Sequence, residues 1–184
     1  MQHIICFGNL WHWDDGFGIH VFRRLKDGVV IPKSVKLFEG GVAGLNALAY
    51  FEGCRKAIIV DGLKSAGEVG SVHRLGMTDL SDPEPEFSLH SFGLNHLLRV
   101  LLFYANRTAV PVIVVIGAVI VPNGRISDRL STAVVASVDG AINRILEECT
   151  GHFAHSRAGA SRLPAHPGHD KRRLRENRIA GRQS

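Results

Sequence analysis

The sequence predicts an α/β protein, a three-layer α/β/α sandwich around a mostly parallel five-stranded sheet with one antiparallel or edge strand. Three observations point there. Short apolar runs of strand length alternate with segments of helical periodicity, as βαβ units require. Two of those runs, "KAIIVD" (56–61) and "VPVIVVIGAV" (110–119), are apolar without alternation, the mark of strands buried on both faces. Glycines close the first two runs, at Gly8 and at Gly40–Gly41.

The elements follow in order. "HIICFG" (3–8) is the first strand. Residues 16–27 form a helix with Phe17, Val21, Phe22 and Leu25 on one face, and Asp14 and Asp15 stand where N-caps belong. "SVKLFE" (34–39) is the second strand. "AGLNALAYFEGC" (43–54) reads as a helix with Leu45, Leu48, Ala49 and Phe51 facing inward. The third strand, 56–61, ends at Asp61. "GEVGSVHRL" (67–75) is the antiparallel or edge strand, and "SDPEPEFS" (81–88) is an acidic loop. A helix over 89–105, the strand over 110–119 and a last helix over 130–149 complete the pattern.

Residues 1–150 read as one domain. From residue 151 the apolar pattern stops, and the basic, Gly/Pro/Ser-rich stretch 151–184 reads as a disordered tail. The formal charge of +5 belongs to that tail, which holds eight basic and two acidic residues, whereas residues 1–150 hold fourteen and fifteen. The folded part therefore shows no basic footprint for nucleic acid. Cys6, Cys54 and Cys149 are widely spaced and lack zinc-site spacing, so reduced thiols in a cytoplasmic protein are expected. No signal peptide is recognisable at the start. The longest apolar stretch, 109–122, is too short for a bilayer and is broken by Pro111 and Gly117. No membrane partner is expected, and no heptad or long edge strand asks for a dimer, so a monomer is expected.

Ligands of an open parallel sheet bind outside the carboxyl ends of its strands. Asp14 and Asp15 follow the first strand, Asp61 closes the third and His90 opens the helix after the acidic loop; Glu39, at the end of the second, is a possible fourth. Two adjacent carboxylates repel, and one suffices as a cap, so the second needs another reason. Two carboxylates with an imidazole suit a divalent ion such as nickel, zinc or iron with open coordination positions, able to polarise a carbonyl or activate water. The sequence has no GxGxxG or GKS/T phosphate loop and no GxSxG elbow. Trp11 and Trp13 fit either an exposed apolar lip or a packed strand–helix corner. His96 reads as a surface residue, and His20 and His73 have no evident partner.

Four segments, "GNLWHWDDGFGIHVFRRL", "FEGGVAGLNAL", "AIIVDG" and "SLHSFGLNHLL", resemble in order and spacing those of the [NiFe]-hydrogenase maturation proteases, over roughly residues 3–148. The resemblance implies a twisted, largely parallel sheet. It also implies an endopeptidase that removes a short C-terminal extension from the hydrogenase large-subunit precursor after nickel insertion, with nickel supplied by that precursor. It places the metal-contacting and catalytic groups at Asp15, Asp61 and His90, and part of the region receiving the substrate tail at Gly40 and Gly41. On this reading Asp14 caps the helix that follows it. Cys6, Glu39 and Val42 depart from the family's usual glycine, aspartate and threonine. The alternative is a nickel-binding hydrogenase accessory protein without peptidase activity, its metal carried by His152, His155, His166 and His169 of the tail.

Overall fold

In the computed structural model, which describes residues 1–80, 88–89, 94–105, 111–122 and 124–151, the apolar runs become the centre of one sheet. The strands are β1 (Gln2–Phe7), β2 (Val35–Gly41), β3 (Lys56–Lys64), β4 (Val72–Gly76), β5 (Ser88–Leu89) and β6 (Val112–Val119). They lie in the order β2-β1-β3-β6-β4, with β5 on β3 beside this path. Pairing is parallel through β2, β1, β3 and β6 and antiparallel at β4, the edge strand expected over 67–75. The helices are α1 (Phe17–Gly28), α2 (Met77–Leu80), α3 (Leu94–Ala105) and α4 (Thr132–Thr150), with 3-10 segments at Trp13–Gly16 and Gly44–Phe51.

Strand alternation sorts the core into two faces. On one, Ile4, Cys6, Ile58, Val60 and Ile116 pack with Phe17, Val21 and Leu25 of α1 and with Val134, Ile142 and Ile145 of α4. On the other, Ile5, Phe7, Ile59, Leu63 and Val115 meet Ala47 and Phe51 of the second 3-10 segment and Leu94, Leu97 and Leu101 of α3. These are the three layers read from the sequence.

Four elements differ from expectation. β3 does not stop at Asp61: Gly62 and Leu63 stay paired with Ala118 and Val119 of β6, and Leu63 is fully buried. Residues 44–51 form a 3-10 helix in which Leu45 and Leu48 do not reach the core. Both face solvent, 46% and 36% exposed, as does Ala49, while Ala47 and Phe51 reach the core. The helix expected from Leu89 begins at Leu94, because Ser88 and Leu89 pair antiparallel with Lys64 and Leu63. The turn α2, not foreseen, is held by a 2.7 Å bond from the Gly76 N–H to Asp79 Oδ2. The acidic loop, apart from Ser88, and the tail from residue 152 lie outside the described residues.

Two contacts fix the frame. α1 crosses the ends of β1 and β3 so closely that a Cβ on Gly18 would stand 2.0 Å from the Phe7 carbonyl oxygen and 2.7 Å from that of Val60. Both are backbone atoms and cannot swing aside. Elsewhere, Glu148 of α4 is buried and binds Lys56 Nζ of β3 at 2.5 Å together with the Arg74 guanidinium of β4. Burial raises the pKa of this carboxyl, but hydrogen bonds from Arg74 and Lys56, and the charges of both, outweigh it and leave the value below the usual 4.5.

Two outcomes are expected. Gly18→Ala should destabilise the fold by about 1–3 kcal/mol or more, as overpacking does, measurable by denaturant unfolding. Glu148, its pKa lowered on folding, contributes stability that is present above about pH 4.5 and lost as pH falls through its folded value. Glu148→Gln should cost about 2–4 kcal/mol at neutral pH, below the full range for a broken buried pair because Arg74 remains partly in water. The same variant should flatten the fall in stability as pH drops below about 4.5.

Candidate active site

The two connections that leave β1 and β2 cover opposite faces: α1 follows β1 on one, and the Gly44–Phe51 helix follows β2 on the other. The crevice where such connections part, outside the carboxyl ends of β1 and β3, is the ligand site of open α/β sheets. β1 pairs with β3 only as far as Cys6 and Val60. β5 begins pairing at Leu63. Asp61 and Gly62 fall in the interval between these neighbours, paired on the other side with Gly117 and Ala118 of β6. Asp61 has the strand parity of Ile59 and Leu63 and so belongs to the α3 face, fully buried; its Oδ1 accepts the Gly62 N–H at 2.8 Å.

Asp15 reaches the same edge from β1. After Phe7 the chain turns at Gly8, φ 137°, where a Cβ would lie 2.3 Å from the Asp15 carbonyl oxygen. The next N–H, of Asn9, donates to that oxygen at 3.1 Å and to Asp15 Oδ2 at 3.2 Å. The loop thus closes on itself and fixes Asp15, 8% exposed, at the end of β1 in a 3-10 turn packed against β3. Gly18, three residues on, already rests on Phe7 and Val60. Backbone geometry thus sets Asp15 at the end of β1 and Asp61 in the strand interval beside that end.

The other expected residues fare differently. His90 lies outside the described residues. Gly40 is buried against the Phe7 ring, 2.9 Å from where its Cβ would stand, and Gly41, φ 50°, pairs with Phe7 and accepts the Gly8 N–H at 3.1 Å. The double glycine thus adjoins the loop that carries Asp15. Glu39 is an exposed residue inside β2, which continues to Gly41. Among the described residues no group of three His, Cys, Asp or Glu side chains is placed to hold a metal ion.

Asp14 does not cap α1, whose start has no side-chain cap. Its buried carboxylate accepts the Ser131 backbone N–H at 2.6 Å on Oδ1 and the Ser131 hydroxyl at 2.8 Å on Oδ2. Ser131 is the N-cap of α4. Sequence reading missed this partner, 117 positions away; its one local signal was a serine at the head of a helical pattern. The tryptophans divide the two roles offered them. Trp11 is 61% exposed, whereas Trp13 is half-buried, with the Arg125 guanidinium 4.9 Å from its ring centre. His20 bonds the Asp128 carbonyl oxygen at 2.9 Å, His73 pairs with the Ser71 hydroxyl, and His96 is exposed, as expected.

The thiol nearest this edge is not a nucleophile. Cys6 is fully buried, and desolvation, reinforced by the charge of Glu39, pushes its pKa far above the thiol range. Carboxylate chemistry remains: Asp15 and Asp61 can ligate a divalent cation or take a proton from water.

Comparison with known proteins agrees with this architecture. Residues 19–148 match the hydrogenase maturation protease family, a stretch that contains Asp61 and His90 and begins four residues after Asp15. Over 101 residues the chain is 27% identical to the hydrogenase expression/formation protein HupD of Rhodobacter capsulatus, covering 52% of this chain and 46% of HupD. In that match the chain spans less than half the length of its relative. Among solved structures, the Escherichia coli hydrogenase maturating endopeptidase HybD superposes with a TM-score of 0.67 at 21% identity, over 83% of this chain and 93% of HybD. The [NiFe] hydrogenase maturation protease HybD of Thermococcus kodakarensis gives 0.65 at 21% identity, over 80% and 98%. At these identities the structural likeness speaks for the fold; the family match covers most of the chain, which belongs to the hydrogenase maturation protease family.

Proposed function

We propose that this chain is an endopeptidase that removes a C-terminal extension from the nickel-loaded large-subunit precursor of a [NiFe] hydrogenase. The observation that carries the reading is membership of the maturation protease family, supported by Asp61 in the strand interval between β1 and β5 and Asp15 in the turn at the end of β1. The reaction is the aspartyl-type hydrolysis of one peptide bond. The precursor brings the nickel as part of the substrate, and Asp15, Asp61 and His90 offer it oxygen and nitrogen donors. β5 runs antiparallel to β3, toward its Asp61 end, and Leu89, the residue before His90, pairs with Leu63, which supports grouping that histidine with the two carboxylates.

The scissile tail lies over Gly40–Gly41: open space above Gly41 permits close approach, and Gly40 packs beneath on the Phe7 ring. A carboxylate of the pair accepts a proton as the water oxygen bonds to the scissile carbonyl carbon. It returns the proton to the departing nitrogen as the C–N bond breaks. No described helix is long and apolar enough to cross a membrane. We place the enzyme in the cytoplasm, acting as a monomer on its precursor.

Mixing the purified chain with nickel-loaded and nickel-free precursor, and weighing the products by mass spectrometry, tests the reading. Only the loaded form should be shortened, and equal cleavage of both would break the nickel-recognition step. Asp15→Asn and Asp61→Asn should each slow processing about a hundredfold or more while keeping the melting temperature near that of the parent. Full processing by Asp61→Asn would overturn the assignment.

A further inference from the structure

Asp14 and Asp15 are both buried and adjacent, yet their carboxylates bond in different directions. Asp15 turns back to Asn9 at the end of β1. Asp14 reaches across to the first residue of α4, where both of its oxygens receive donors from Ser131. The segment leading into α4 adds further ties. The Ser127 N–H donates to the Trp11 carbonyl at 2.9 Å, the Trp13 N–H donates to the Ser127 carbonyl at 3.0 Å, and His12 forms an isolated parallel bridge with Ser127. Arg125 covers the Trp13 ring, and the Asp128 carbonyl bonds His20 of α1.

These ties fall on a strained backbone. Trp13 has φ 54°, the one described non-glycine residue at positive φ. A bulky side chain holds that conformation only where its surroundings impose it. Here they do: Trp13 is pinned through its own N–H to Ser127, and the next residue, Asp14, is pinned through its carboxylate to Ser131. Asp15 follows directly. Its position at the strand edge is thus set from two sides, by Asn9 on the β1 side and by the 125–131 segment on the α4 side.

From this geometry we infer that Asp14 and Ser131 form a positioning pair, whose role is to hold the turn that aims Asp15, and that the segment 125–131 is thereby part of the site's machinery. The inference rests on the endopeptidase reading for its kinetic consequence but not for its structural one. Asp14 answers the demand that two neighbouring carboxylates make: its charge meets the N-terminus of a 19-residue helix, where two donors and the helix dipole face it, so Asp15 is left to the site.

The test uses the full chain with Ser131→Ala, Ser131→Thr and Asp14→Asn. In Asp14→Asn an NH2 donor replaces one carboxylate oxygen, so the Ser131 N–H and hydroxyl no longer each meet an acceptor oxygen, and the negative charge at the head of α4 is lost. Ser131→Ala and Asp14→Asn should lower kcat for precursor processing about tenfold or more, with KM within about twofold, because misplacement of a reacting group slows chemistry more than it weakens binding. Ser131→Thr, which restores the hydroxyl, should recover kcat. In parallel, amide hydrogen exchange should speed up about tenfold at Asn9 and Asp15 in Ser131→Ala while the β3 amides keep their protection. Unchanged exchange at Asn9 and Asp15 overturns the positioning pair whatever the kinetics. Faster exchange with an unaltered kcat overturns it as a functional device. Absence of processing by the parent chain would count against the endopeptidase reading alone, and the exchange experiment would still decide the pair.

Discussion

β1 and β3 run side by side only as far as Cys6 and Val60, and the candidate site depends on that stopping point. Had β1 continued one residue in register, Asp61 would lie between two paired neighbours in the middle of a sheet. Instead β1 turns out at Gly8 while β3 carries on beside β6 to Lys64. At that point Gly18 brings α1 against the carbonyls of Phe7 and Val60 at a distance no side chain would allow. The missing Cβ of Gly18 thus lets α1 pack at the point where β1 and β3 part.

The same frame shows how a small α/β core keeps acidic groups at its boundary. Asp14, Asp15 and Asp61 are each less than a tenth exposed, and each accepts at least one backbone N–H: from Ser131, Asn9 and Gly62. Burial of carboxylates is costly unless hydrogen bonds compensate, and main-chain donors at strand and helix ends are fixed ones. Glu148 shows the other solution. It is held by Lys56 and Arg74, two cations that tie β3 and β4 to α4. The first arrangement meets buried charge with main-chain donors, the second with cationic side chains that tie the frame together.

How much could be read from the chain alone follows from the range of each interaction. Continuous apolar runs announced β3 and β6 because burial on both faces leaves a one-dimensional mark. Asp61 stood out as the charge that interrupts such a run. Its strand was nevertheless cut short, since Asp-Gly is a turn signal locally and only pairing with Ala118 and Val119 overrides it. Of the inner face that apolar spacing predicts over 43–54, Phe51 reaches the core, whereas Leu45, Leu48 and Ala49 face solvent: apolar character alone does not tell which side meets the sheet. Asp15 was legible as the surplus carboxylate of a pair. The partner of Asp14 was not, because Ser131 lies in another element and nothing local links the two. Gly40 and Gly41 were recognised as bare backbone, and their contact with Phe7 and Gly8 is a tertiary fact.

The decisive measurement is anomalous diffraction from crystals of this chain soaked in nickel or cadmium. A single strong peak bonded at about 2 Å to carboxylate oxygens of both Asp15 and Asp61 is the expected result. A peak held by other residues, with these two carboxylates pointing away from any common ion, would contradict the shared site on which the proposed chemistry stands.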